Sequence, residues 1–154
     1  MIVNLDSSEV LVCEILGRLR ALTARSAGVK DTKVGKQNGD DSDVMGIKAE
    51  YAFAKHFNVF PDLGLTPRSG SADGILEGYA YDIKSTDYAN GNLLATRKIN
   101  PDVDMYVLCI VSKTQVDIKG YVMKEDFISP NNLKDMKHGE GYCLGQSQLT
   151  KFKS

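Results

Sequence analysis

The chain has 154 residues, a length suited to one domain that buries a real hydrophobic core. With 42% hydrophobic and 25% charged residues it has the make-up of an ordinary globular protein, which excludes a disordered or fibrous chain. Its net charge of −1 gives no overall basic surface to point at nucleic acid, and no apolar run approaches the roughly 20 residues that cross a bilayer.

The first residues lack the charged-then-apolar pattern of a secretory signal. Cys13, Cys109 and Cys143 are isolated in apolar settings and lack the paired spacing of a zinc site, so they read as reduced core thiols. Together these features lead us to expect a cytoplasmic protein with no membrane partner.

Residues 6–24 predict an amphipathic helix. Asp6 can cap it, with Glu9 three residues later to complete a capping box. Val12, Leu16, Leu19 and Leu22, or the neighbouring Ile15, supply an apolar stripe for the core. From Arg18 to Lys36 six basic residues, among them Arg25, Lys30 and Lys33, meet a single acid, Asp31. Such a run is either a solvated helix end and loop or an arm that contacts phosphates.

Residues 43–57 predict the clearest helix, capped by Asp41, Ser42 or Asp43. Gly46, Ile47, Phe53, Ala54 and Phe57 share one face, and Gly46 would let the helix approach a sheet closely. Glu50 falls in the middle of that face. A carboxylate there is costly unless it is ion-paired, protonated or bound to a cation, so it is either salt-bridged to a nearby Arg or Lys or is an active-site acid. His56, beside Phe57 near the helix end, reads as structural. Residues 58–71 form a loop in which Arg68 and Ser69 precede Asp73; they could touch a phosphate or simply make a surface turn.

Two short strands meet at Glu77-Gly78. A two-residue turn there sets Leu76 against Tyr79, Gly74 against Tyr81 and Asp73 against Asp82. A three-residue turn over Leu76-Glu77-Gly78 would instead set Asp73 against Tyr81. Either register keeps the two carboxylates adjacent. Strand alternation puts Asp82 and Lys84 on one face, and Tyr81 and Ile83 on the core face. Residues 93–99 form a short helix or a third strand, with Lys98 either facing substrate or solvent. Residues 104–111 read as a strand buried on both faces, residues 115–123 as its partner, and residues 124–127 as a short helical turn ended by Pro130. The tail reads as an irregular cap.

Asp73, followed by Asp82-Ile83-Lys84, resembles the motif of the PD-(D/E)XK nuclease superfamily. The run from Arg68 to Asp73, followed by Tyr81-Asp82-Ile83-Lys84-Ser85-Thr86, is most similar to the archaeal Holliday-junction resolvase branch and to small phage-encoded relatives. The likeness covers residues 46–111 and departs at Ala72, which stands where the motif's proline would be. Gly46-Ile47-Lys48-Ala49-Glu50 looks like the helical Gly-x-x-x-Glu element of such enzymes.

The resemblance implies an α/β domain over residues 1–154 with a restriction-endonuclease-like mixed β-sheet flanked by helices. It implies Mg²⁺, with Mn²⁺ as substitute, held by Asp73, Asp82, the Ile83 carbonyl and Glu50, and Lys84 to orient the attacking water. Arg25, Lys30, Lys33, Arg68, Ser69 and Lys98 become candidate DNA contacts. The activity implied is endonucleolytic hydrolysis of DNA, on branched or phage recombination DNA, in the host cytoplasm if the chain is phage-encoded. Enzymes of this kind often work as homodimers, although no segment reads as a dimer face. Two other readings remain: an inactive nuclease-fold DNA-binding or regulatory module, and an interaction protein whose acids are plain hairpin-surface residues.

Overall fold

The computed structural model describes residues 1–26, 39–65, 72–137 and 139–153. In chain order the elements are β1 (Ile2–Asn4), α1 (Ser7–Ser26), α2 (Gly39–Phe57), β2 (Gly74–Leu76), β3 (Tyr79–Thr86), β4 (Leu93–Thr96), β5 (Met105–Val111), β6 (Gln115–Met123), α3 (Lys124–Phe127), β7 (Leu133–Met136) and β8 (Gly139–Leu144). Five strands form one mixed sheet in the order β1-β6-β5-β3-β2, in which β3 and β5 run parallel and the other pairs antiparallel. The result is an α/β fold, as the element pattern predicts.

The strand β5 is the centre of this sheet, and all but Ile110 of its residues are buried. Alternate side chains therefore feed two cores. Met105, Val107 and Cys109 join Tyr81 of β3 and Met45, Ala49, Ala52 and Phe53 of α2 in one cluster. Tyr106 and Leu108 join Val122, Phe127, Leu93, Ala95 and Leu144 in the other. The helices α1 and α2 thus belong to one side of the sheet. On the other lie α3 and a second, three-stranded sheet of order β4-β8-β7.

That second sheet is an addition to the expected single mixed sheet flanked by helices. Residues 93–99 do supply a strand, but β4 pairs with β8 and not with the main sheet. The tail is no irregular cap: β7 and β8 make a hairpin, after which Thr150 bridges to Tyr121 and Phe152 packs its ring on Phe57 and Tyr121. The strand β1 is also new. It is pinned by Met1, whose ammonium lies 3.1 Å from Asp117 Oδ1 and donates to the Ile118 carbonyl.

At its start α1 has the expected capping box: Glu9 N–H donates to Asp6 Oδ1 at 2.8 Å, and Asp6 N–H to Glu9 Oε2 at 3.0 Å. Of the expected apolar stripe of α1, Leu16 is buried, and the rest of the buried face differs. Val10, Cys13, Leu16, Gly17 and Ala21 turn inward, while Val12, Ile15, Leu19 and Leu22 face out. Small residues allow α1 and α2 to approach closely. A Cβ placed on Gly17 would come 2.7 Å from Val44 Cα and 2.8 Å from Val44 N.

Gly17→Ala should therefore destabilise the protein by about 1–3 kcal/mol, since overpacking against backbone outweighs the roughly 1 kcal/mol by which Ala favours a helix over Gly. A urea denaturation would read this as a lowered midpoint at constant slope. Gly46 does not serve the close approach assigned to it, because a Cβ there would meet open space. The helix α2 also begins earlier than expected, at Gly39, so Asp41, Ser42 and Asp43 lie inside its first turns and not at its cap.

Candidate active edge at the β2–β3 hairpin

The hairpin turns through Glu77 and Gly78, both with positive φ, at 50° and 87°. This is the two-residue geometry whose twist matches antiparallel strands, and Glu77 accepts the left-handed region to make it. The register follows: Leu76 against Tyr79, Ile75 against Ala80, Gly74 against Tyr81. Asp73 N–H also donates to the Tyr81 carbonyl at 2.8 Å. Asp73 and Gly74 thus both face Tyr81, the two-against-one pattern of a bulge. Elements of both expected registers are present.

The bulge places the Asp73 carboxylate where the next ladder bond would be, so that its Oδ2 accepts the Ile83 N–H at 2.7 Å. In a strand a residue's N–H and C=O point to the same side. The Ile83 carbonyl is therefore directed to the same edge of β3 as the Asp73 carboxylate. Opposite that edge β3 is held by β5 and by Asp104, whose N–H donates to the Ala80 carbonyl and whose Oδ2 accepts the Ala80 N–H. Asp104 was not singled out from sequence. Its only signal was an acid just before an apolar strand.

Asp82 and Lys84 share a face, as alternation requires, and Lys84 Nζ lies 2.8 Å from Asp82 Oδ2 with both side chains partly exposed. Asp82 stands in register with Tyr106 on β5. Burial, and then the nearby negative charge of Asp82, push the Tyr106 phenol up to about 12, so it stays protonated beside the carboxylate.

Glu50 is half-buried on α2, the layer that covers the Tyr81 side of the sheet, whereas Asp82 and Lys84 project to the other side. Its Oε2 lies 3.5 Å from Arg20 Nη1. Arg20 in turn donates to the carbonyls of Gly64 and Asp62. Here the ion-paired alternative for Glu50 has a named partner, thirty residues upstream, that no local pattern singles out.

Among the described residues, no three Asp, Glu, His or Cys side chains are grouped as ligands for a metal ion. What the hairpin brings together is Asp73, Asp82, the Ile83 backbone and Lys84. His56 sets its ring edge-on to Phe57 at 4.7 Å, in keeping with a structural role.

Of the candidate DNA contacts, Arg25 is exposed in the last turn of α1, and Lys98 is exposed just after β4. Lys30, Lys33, Arg68 and Ser69 lie outside the described residues. Cys13, Cys109 and Cys143 are free and buried, as expected of core thiols. No helix among the described residues is long and apolar enough to cross a membrane. No family model matches the chain, and neither the curated proteins nor the solved structures include a match to it.

Proposed function

We propose that the chain is a restriction-endonuclease-like, metal-dependent nuclease that hydrolyses DNA phosphodiester bonds at the β2–β3 edge. The observation that carries this reading is the Asp73 carboxylate held on the Ile83 N–H at the strand edge, next along β3 from Asp82, whose own carboxylate lies 2.8 Å from Lys84 Nζ. Asp73, Asp82 and the Ile83 carbonyl are hard oxygen donors. They fit Mg²⁺, which keeps several waters and takes one or two carboxylates together with substrate phosphate. Bound there, the ion would lower the pKa of a coordinated water and polarise the phosphate.

The chain's own residues would do the rest. Asp73, fixed by the Ile83 N–H, holds its carboxylate at the edge without rotation. Lys84 exchanges its ion pair with Asp82 for the attacking water and for charge that builds on the phosphate. Arg25 and Lys98, with Lys30, Lys33, Arg68 and Ser69, would bind the flanking phosphates. Glu50, paired with Arg20 on the opposite side of the sheet from Asp82 and Lys84, is left out of this scheme.

A second reading has its own observation. Lys84 already neutralises Asp82, Arg20 already pairs with Glu50, and the described residues hold no three-acid group. Those facts favour a nuclease-fold module that binds DNA without cutting it.

Purified protein incubated with duplex, single-stranded and four-way branched DNA separates the two. Cleavage with Mg²⁺ or Mn²⁺ that stops on adding EDTA is the expected result. Salt-sensitive binding without cleavage under both metals would overturn it in favour of the binding module. Neither binding nor cleavage would leave an interaction protein.

A further inference from the structure

The helix α1 carries a second apolar stripe that the described residues leave exposed. Leu11, Val12, Ile15, Leu19 and Leu22 are between 41% and 54% exposed. They lie opposite the face that Cys13, Gly17 and Ala21 turn to the interior. The positions 12, 15, 19 and 22 are spaced three, four and three residues apart, the seam pattern by which two helices pack side by side. A contiguous apolar patch of this kind, where single scattered aliphatics would be unremarkable, is a mark of an interaction surface.

The charges beside the stripe indicate its occupant. On one flank of it lie Glu14, in the first half of α1, and Arg18 and Arg25, in the second. Glu14 and Arg18 fall on the same flank of the stripe at helical spacing. In a parallel pair this flank would meet the opposite flank of its neighbour, which carries Leu16 and Thr23. In an antiparallel pair it meets itself reversed.

With Val12 set against Leu22 and Ile15 against Leu19, Glu14 of each copy comes up to Arg18 of the other. A two-fold axis at the middle of the helix then makes both pairs at once. The stripe is thus self-complementary in apolar spacing and in charge.

We propose that two copies of this chain associate through α1, antiparallel, as a homodimer. This inference is independent of the nuclease reading. One helix pair gives an interface at the small end of the range, so a dimer that dissociates at concentrations on the order of micromolar is expected.

Sedimentation equilibrium of the full chain tests it. Wild type should show a concentration-dependent dimer. Ile15→Glu and Leu19→Glu should be monomeric with unchanged circular dichroism, and with the melting temperature of wild type diluted well below its dissociation constant, because both side chains face out. Glu14→Arg and Arg18→Glu alone should each weaken the dimer tenfold or more, and the double variant should restore it.

A wild type that stays monomeric to several hundred micromolar, on the order of a hundred times the expected dissociation constant, overturns the proposal. If that monomer is destabilised by Ile15→Glu, another part of the same chain covers the stripe. A dimer indifferent to Ile15→Glu and Leu19→Glu places the interface elsewhere. Failure of the double variant to recover overturns the antiparallel pairing.

Discussion

On the proposed nuclease reading, Asp82→Ala should lower metal-dependent DNA cleavage by a factor on the order of 10²–10³ or more, the usual effect of removing a group that stabilises charge in a reacting centre. The fold should survive. Asp82 is partly exposed and its ion pair with Lys84 lies at the rim of the sheet, where such pairs contribute under about 1 kcal/mol. Melting temperature and circular dichroism should therefore stay close to wild type.

Lys84→Ala is the informative companion. If Lys84 only neutralises Asp82, its removal leaves the carboxylate freer to hold Mn²⁺ and does no harm to turnover. If it orients the attacking water, Mn²⁺ binding persists while cleavage falls by a similar factor. Mn²⁺ binding followed by calorimetry, beside cleavage rates, separates the two. Cleavage by Lys84→Ala at the wild-type rate would remove Lys84 from the reaction. Full activity in Asp82→Ala would remove the hairpin from it.

The hairpin was the most legible part of the chain. Alternation alone assigned Tyr81 and Ile83 to one face and Asp82 and Lys84 to the other, and the ion pair and the aromatic cluster both follow that parity. The run from Met105 to Val111 declared a central strand because it lacks a polar face. The first helix was legible as a helix, through its capping box, but not in its orientation. It has two apolar stripes. The larger side chains suggested that Val12, Leu19 and Leu22 go inward, whereas close packing at Gly17 and Val44 selects the stripe of small residues instead.

The second sheet was hidden for a different reason. Its strands are short, β7 and β8 are mostly polar or glycine-bearing, and β4 pairs with a segment some fifty residues on. Gly141 shows the point. A Cβ there would strike the Met136 side chain and come 2.7 Å from the Ala95 carbonyl, so the glycine is a packing requirement and not a break in structure. The partner of Glu50 was illegible because ion pairing depends on where two helices cross, which no local pattern in either helix encodes.

Phe53→Ala should cost more stability than either Gly17→Ala or Asp82→Ala. Phe53 is fully buried, and its ring lies 4.6 Å from both Phe57 and Tyr81 and 5.7 Å from Phe152. Truncation opens a cavity where α2, β3 and the C-terminal residues meet, at a cost of about 3–5 kcal/mol. For a chain of this size that corresponds to a fall of roughly 6–20 °C in melting temperature.

The loss reaches the proposed site by a short path. Tyr81 is held on one side by Phe53, and its hydroxyl occupies the space a side chain on Gly74 would need. It therefore braces β2 against β3 at the position where Asp73 makes its bulge. Without Phe53 the Tyr81 ring can relax into the cavity, and Asp73 loses the fixed strand spacing that puts its carboxylate on the Ile83 N–H.

Amide exchange at Ile83 reads this directly. It should rise in Phe53→Ala beyond what the global loss of stability explains. Phe127→Ala, a comparably buried phenylalanine in the opposite core, should lower the melting point to a similar extent while leaving Ile83 no more exposed than that loss requires. Equal effects of the two substitutions on Ile83 would show that Tyr81 transmits nothing particular and that the hairpin is held by the sheet alone.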